Sequence, residues 1–125
     1  MTRYKYFKLS EFASPDQPDS GDMMDELFIE TLDIARDIYG YPMIINSGFR
    51  TIDHNQKLKE MGYKVAKNSS HLLGLAADIH CVDSKKRFLL IEALLDAGFT
   101  RIGIGDTFIH VDGDTDKAQC VIWTY

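Results

Sequence analysis

Apolar side chains recur at steps of three and four residues in two stretches of the chain, which is the spacing of one face of an α-helix. The first stretch ends just before Gly40, a residue type that commonly follows a helix because it tolerates a positive φ. The second begins after Ser84, a suitable N-cap, and ends at Gly98. The positions that define the two faces are Met24, Leu27, Thr31, Ile34 and Ile38 in the first stretch, and Phe88, Ile91, Leu94 and Leu95 in the second. We therefore predict two amphipathic helices that bury these faces.

Short runs with β-like composition lie between and after these helices. They cover residues 43–47, 75–80, 101–104, 107–112 and 120–125. Gly105-Asp106 separates the third run from the fourth and is typical of a hairpin turn. A further short helix is expected between Thr51, which can cap it, and Gly62. Together these elements predict an α+β fold with a mainly antiparallel sheet and flanking helices.

Length and composition narrow the class of protein. The chain has 125 residues, of which 45% are hydrophobic and 26% are charged, so we expect one globular domain over residues 1–125. A net charge of −5 without a basic patch gives no reason to expect a nucleic acid partner. No apolar run approaches the roughly 20 residues of a membrane span, and the N-terminus lacks the apolar core of a signal peptide. We therefore expect no membrane span and a protein that is cytoplasmic as synthesised.

Two short segments supply a set of residues that can bind a metal. Asp78 follows His71 by seven residues, and His110 lies in the predicted hairpin strand. Catalytic zinc sites take three protein ligands of these types and leave one position for water, whereas structural zinc sites are closed by four ligands rich in cysteine. The set therefore favours zinc-assisted hydrolysis. Spacing alone leaves open the alternative that the histidines are hydrogen-bonded structural residues.

Arg50 and Asp112 are candidates for the chemistry around such a metal. Arg50 follows Gly48 at a strand-to-helix junction, where its guanidinium could bind a carboxylate or a developing oxyanion with fixed geometry. The alternative is an arginine in a surface salt bridge. Asp112 lies two residues after His110, so both side chains project from the same face of a strand. Asp112 can then act as the general base or orient the imidazole of His110.

Four segments of the chain resemble motifs of the zinc peptidases that include D-alanyl-D-alanine carboxypeptidases and phage L-alanyl-D-glutamate endolysins, whose fold is shared by the hedgehog signalling domain. The segments are Phe7-Lys8-Leu9-Ser10-Glu11-Phe12, Ser47-Gly48-Phe49-Arg50, the stretch of residues 69–78 with the pattern Ser-x-His-x-x-Gly-x-Ala-x-Asp, and His110-Val111-Asp112. The resemblance runs nearly from end to end, and the third segment is the most specific. It implies that His71, Asp78 and His110 bind zinc, and that Arg50 and Ser69 contact the substrate.

The same resemblance implies the substrate and exposes one departure from the family pattern. The implied substrate is a peptidoglycan stem peptide, cut at D-Ala-D-Ala or at L-Ala-D-Glu, with the cell wall as the place of action after release. Many relatives carry the general base three residues before the last ligand, where this chain has Thr107. We expect Asp112 to be the base, with Asp106 in reserve. The alternative function is a non-catalytic metal-binding module of the cell wall or of a phage particle.

Overall fold

The computed structural model describes residues 4–66 and 68–125. The helices in this part of the chain are α1 (Glu26–Tyr39), α2 (Ile52–Glu60) and α3 (Ser84–Asp96). The strands are β1 (Ile44–Ser47), β2 (Ala76–His80), β3 (Arg101–Ile104), β4 (Phe108–Asp112) and β5 (Val121–Thr124). Short 3₁₀ helices cover Leu9–Phe12, Ser20–Met23 and Ser70–Leu73. The α+β class predicted from the sequence is confirmed.

The strands form one mixed sheet in the order β1-β2-β4-β3-β5. Neighbouring strands run antiparallel except β3 and β5, which are parallel. The turn at Gly105-Asp106 joins β3 and β4 as the predicted hairpin, and the bond from the Gly105 amide to the Phe108 carbonyl closes it at 2.9 Å. The sheet is therefore mainly antiparallel, as predicted.

The two faces of the sheet carry different residues, because successive side chains of a strand point to opposite sides. Ile79, Ile109 and Val111 point to the face that shares the core with α1 and α3. The residues between them, Asp78 and His110, point to the other face. Strand register places one row of residues side by side across all the strands of this face, in the order Ser47, Asp78, His110, Gly103 and Trp123. Packing in the core thus fixes the position of the strands that carry this row of residues on the opposite face.

The helices form where predicted, but they bury other faces than predicted. In α1 the predicted Leu27 and Ile34 are 69% and 55% exposed. In α3 the predicted Phe88 is 68% exposed, whereas Leu94 is buried as expected. The buried positions are Phe28, Ile29, Leu32, Ala35 and Tyr39 in α1, and Leu90, Ala93 and Leu94 in α3. Both helices carry more apolar residues than one face holds. Apolar residues at steps of three and four can therefore be found on two faces of each helix, and this spacing alone does not show which face is buried.

Helix ends follow the local sequence closely. Thr51 caps α2 as predicted, because its hydroxyl accepts a hydrogen bond from the amide of His54 at 3.0 Å. Asp83, and not Ser84, caps α3 by accepting from the amide of Lys86. Gly40 ends α1 with a φ of 80°, as expected. None of the described helices combines the length and the apolar character that a membrane crossing requires.

Candidate metal centre

His71, Asp78 and His110 come together on the outer face of the sheet. One ligand atom from each lies within 4.8 Å of the others, and all three residues are buried. Asp78 and His110 are directly opposite each other on β2 and β4, so the strand register alone brings them side by side. His71 reaches them from the 3₁₀ helix Ser70–Leu73. The structure therefore unites the three residues that the sequence singled out as metal ligands.

The orientation of His71 is fixed by the backbone around it. Its Nδ1 lies 2.7 Å from the carbonyl oxygen of Gly48, which can only accept, so Nδ1 carries the proton. The free Nε2 then faces Oδ1 of Asp78 at 3.4 Å. Ser69 caps the 3₁₀ helix by accepting from the His71 amide at 3.2 Å. This is the arrangement of a ligand imidazole, with one nitrogen anchored and the other directed at the site.

Gly74 lets the segment that carries His71 pack closely against the rest of the chain. Its φ is +70°, a conformation that L residues adopt rarely. A Cβ at this position would lie 2.2 Å from the carbonyl oxygen of Met23. The Gly74 carbonyl also accepts from the amide of Asp25 at 2.9 Å. A side chain at residue 74 would push the 3₁₀ helix, and His71 with it, away from the sheet.

His110 lies between two carboxylates. Its Nδ1 is 2.8 Å from Oδ1 of Asp78, and its Nε2 is 2.8 Å from Oδ2 of Asp112. Asp112 projects from the same face of β4 as His110, as the sequence predicted. The side chain of Asp112 is almost fully buried, and it also accepts from the amide of Asp114 at 3.1 Å. The imidazole therefore has one nitrogen at the candidate ligand group and the other held by a buried carboxylate.

Each carboxylate is in turn paired with an arginine. Arg50 places Nη2 3.2 Å from Oδ2 of Asp78 and donates from Nε to the hydroxyl of Ser47 at 3.0 Å. Arg101 donates from Nε to Oδ1 of Asp112 at 2.7 Å, and its guanidinium lies over the ring of Trp123. The result is a chain of alternating charge that runs from one arginine through His110 to the other.

The pKa values of the site reflect these contacts. Burial alone would raise the pKa of Asp78, but the hydrogen bond from His110 and the adjacent imidazole of His71 outweigh it and hold that pKa well below its usual range. Burial opposes charge on His110 as well, yet its bonds to Asp112 and Asp78 raise its pKa. Burial lowers the pKa of His71, and Asp78 only partly offsets that effect. Asp78 is thus ionised and His71 neutral near pH 7, as metal ligands must be.

The donor set fits a divalent metal ion. A tetrahedral ion at about 2.0–2.1 Å from each ligand atom needs ligand atoms about 3.4 Å apart. Asp78 Oδ1 is 3.4 Å from Nε2 of His71 and 2.8 Å from Nδ1 of His110. Two imidazoles and a carboxylate are also the ligand types of catalytic hydrolase sites, which keep one position open. The three side chains could therefore hold a metal ion after a small opening of the pair formed by Asp78 and His110.

A cavity of about 760 Å³ opens onto this group. Every residue that the sequence singled out for the site lines it, including Arg50, Ser69, Asp106 and Asp112. Asp106 is exposed in the hairpin turn, and one of its carboxylate oxygens accepts from the Thr107 amide at 2.8 Å. Asp106 and Asp112 therefore differ in exposure, because Asp106 is open to the cavity and the side chain of Asp112 is almost fully buried beside it.

Several residues of the site were missed by the sequence reasoning. They are Arg101 at the start of β3 and Trp123 and Tyr125 in and beside β5, which line the cavity, and Asn55 on α2, which accepts a hydrogen bond from Arg50. A usable indication existed for Arg101, because the predicted hairpin register brings the start of β3 beside Asp112. Trp123 and Tyr125 also alternate along the predicted last strand and so share a face. Nothing in the sequence indicated that β5 would add to the sheet next to β3.

The fold and site define a class, an α+β protein with a buried His–Asp–His group at the base of a cavity, as in metal-dependent hydrolases. The family model described as Peptidase M15 matches residues 5–112. The chain therefore belongs to the Peptidase M15 family of metallopeptidases, and the resemblance found in the sequence is confirmed. A search of the curated proteins found no match.

Proposed function

We propose that the chain is a zinc-dependent peptidase that hydrolyses peptide bonds of peptidoglycan stem peptides. The observation that carries the proposal is the buried group of His71, Asp78 and His110 at the base of a cavity wide enough for a peptide. Membership of a peptidase family supports the reaction type. Zinc is inferred from the types of the three ligands, and the peptidoglycan substrate is what the family resemblance implies.

His71, Asp78 and His110 would hold the zinc ion. When bound there, zinc would lower the pKa of a water molecule toward neutrality and polarise the carbonyl group of the substrate. Gly48 and Asp112 keep the two imidazoles oriented through the nitrogens that face away from Asp78. Such outer hydrogen bonds fix the tautomer and raise the basicity of the ligands.

Arg50 would steady the negative charge that develops on the substrate. It is anchored to Ser47 and Asp78 and still lines the cavity, so its remaining N–H groups can reach a bound peptide. A guanidinium presents these donors in a fixed plane, which suits a carboxylate or an oxyanion. The burial of its side chain strengthens that interaction because the local dielectric is low.

The contacts of the two aspartates favour different roles for them. Asp112 has both carboxylate oxygens occupied, by His110 on one side and by Arg101 and the Asp114 amide on the other. It is therefore suited to orient His110, one of the two roles that the sequence left open. Asp106 faces the cavity and can take a proton from the attacking water and return it to the nitrogen of the broken peptide bond. We assign the general base to Asp106.

The charge of the cavity supports an anionic peptide as the substrate. The side chains that line it include four cations and three carboxylates, an excess of one positive charge with the histidines neutral, whereas the whole chain has a net charge of −5. The cations are Arg50, Lys64, Arg101 and Lys117, and the carboxylates are Asp78, Asp106 and Asp112. A concentration of positive charge in a cleft attracts ligands of the opposite sign. Stem peptides carry free carboxylates beside both of the bonds that the family resemblance names. The cavity therefore accommodates either D-Ala-D-Ala cleavage or L-Ala-D-Glu cleavage.

The test is hydrolysis of defined muropeptides by the purified protein. A pentapeptide that ends in D-Ala-D-Ala and a tetrapeptide with an intact L-Ala-D-Glu bond are incubated with the zinc-loaded protein, the chelated protein and the protein restored with zinc. We expect cleavage that the chelator abolishes and zinc restores. Mass spectrometry of the products identifies the bond, because released D-alanine and a new amino group on D-Glu mark the two reactions.

Zinc-loaded protein that leaves both peptides intact would contradict the proposal. In that case the non-catalytic wall-binding or phage structural module, which Thr107 at the usual position of the base suggests, becomes the better account. Cosedimentation of the same sample with purified peptidoglycan then measures whether the domain binds the wall without cutting it.

A further inference from the structure

Strand β5 brings an aromatic wall to the metal centre. Trp123 and Tyr125 lie two residues apart and so project from the same face of the extended chain, toward the cavity. Trp123 sits opposite Gly103, and a Cβ on that glycine would lie 2.9 Å from the indole. The close approach lets the indole pack against the ring of His110, with ring centroids 5.5 Å apart. The wall lies beyond residues 5–112, the part that the family model matches.

Tyr125 is held in this wall by its ring and lines the cavity, with about half of the residue exposed. The ring packs against Phe108, with centroids 5.3 Å apart, and against Trp123 at 6.5 Å. The amide of Tyr125 continues the pairing with β3 by donating to the carbonyl of Ile104 at 3.4 Å. Asp78, Arg50 and Asp112, which are residues of the candidate site, line the same cavity as Tyr125.

The hydroxyl of Tyr125 is suited to donate a hydrogen bond. The phenol keeps its proton throughout the neutral range, because the ordinary pKa of a tyrosine is about 10. A phenol O–H is a donor, so the hydroxyl can offer its proton to a bound substrate.

We propose that Tyr125 is a catalytic residue of this peptidase, whose hydroxyl donates a hydrogen bond to the scissile carbonyl oxygen as that oxygen gains negative charge. The inference rests on the proposed function, because it requires peptide hydrolysis in this cavity. Arg50 and Tyr125 line the same cavity, and together they would supply two donors to one developing oxyanion. The bond that Tyr125 makes is strongest in the transition state, so it should act on kcat and not on KM.

The test compares Tyr125→Phe with the wild-type protein and with Tyr41→Phe. Phenylalanine keeps the ring that packs on Phe108 and removes only the hydroxyl. Tyr41 is a partly exposed tyrosine that packs on Tyr39, away from the cavity residues, and serves as the matched control. For Tyr125→Phe we expect kcat about 100-fold lower, with KM and zinc content unchanged. A phosphinate analogue of the cleaved peptide, with tetrahedral phosphorus, should bind about 100-fold more weakly to Tyr125→Phe.

The possible results of these measurements separate the role of Tyr125 from the proposed function. Tyr125→Phe that turns over at the wild-type rate and binds the phosphinate normally overturns the role of Tyr125 and leaves the proposed function intact. A rise in KM at constant kcat also overturns it, because Tyr125 would then bind the ground state. Zinc-loaded wild-type protein without any hydrolysis overturns the proposed function, and the inference with it.

Discussion

His110 is bonded through both ring nitrogens to carboxylates, and each carboxylate is bonded to an arginine. Buried ion pairs cost desolvation energy, and they are tolerated when every member is satisfied. Among the described residues, every buried side-chain nitrogen and oxygen has a hydrogen-bond partner. Every member of the cluster therefore has a partner, and the loss of one member leaves an opposite charge without its partner.

The two aspartates should respond differently to substitution by asparagine. Asp112→Asn weakens the orientation of His110, so we expect activity or zinc affinity to fall about 10- to 100-fold with some turnover left. Asp106→Asn removes the proposed base, so we expect about a 100-fold or greater loss of kcat at full zinc occupancy. Rates are measured beside zinc content for both variants. A dead Asp112→Asn protein that keeps its zinc, beside an active Asp106→Asn protein, would reverse the assignment.

At the scale of elements, the 3₁₀ helix Ser70–Leu73 depends on Gly74. We expect Gly74→Ala to destabilise the fold by more than Gly40→Ala, although both replace a glycine with positive φ. At Gly40 no atom lies within 4 Å of the position that a methyl group would take, so the substitution incurs only the conformational cost of about 1–2 kcal/mol. At Gly74 the methyl also collides with the Met23 carbonyl. Thermal unfolding measures both, and equal losses of stability would show that the contact at Met23 is not restrictive.

Helix α2 is expected to position Arg50 through Asn55. The Asn55 side chain accepts from Nη1 of Arg50 at 3.5 Å and donates to the carbonyl of Ala66 at 3.2 Å, so it ties the arginine to the wall of the cavity. Asn55→Ala should lower kcat/KM about 10-fold while zinc content stays normal, because a displaced Arg50 binds the substrate poorly. Gln56→Ala, an exposed neighbour on the same helix, is the control. Identical kinetics for the two variants would contradict a role of Asn55 in positioning Arg50.

Local patterns predicted the elements well and the packing of the helices less well. The hairpin of β3 and β4 was predictable because its turn residues and the alternation of its strands agree. The buried faces of α1 and α3 were not, since a shift of one residue rotates the face by about 100° and both helices carry apolar residues on either side. Tertiary contacts, which leave Leu27 and Phe88 exposed, decided the outcome.

At the scale of the whole molecule, one sheet separates the hydrophobic core from the candidate metal centre. The group of candidate metal ligands could be predicted because its members lie in short motifs, and strand periodicity also placed Asp112 beside His110. Trp123 and Tyr125 could not be placed, since they reach the site only because β5 adds to the sheet beside β3. A long-range arrangement of this kind leaves no local pattern in the sequence.

The central claim is that His71, Asp78 and His110 hold the zinc on which hydrolysis depends. Elemental analysis of the purified protein tests it most directly, with His71→Ala, Asp78→Ala and His110→Ala beside a control, His80→Ala, in which an exposed histidine at the end of β2 is lost. We expect about one zinc ion per chain in the wild-type and His80→Ala proteins, and loss of zinc in the other three. Stoichiometric zinc retained in any two of those three would contradict the account.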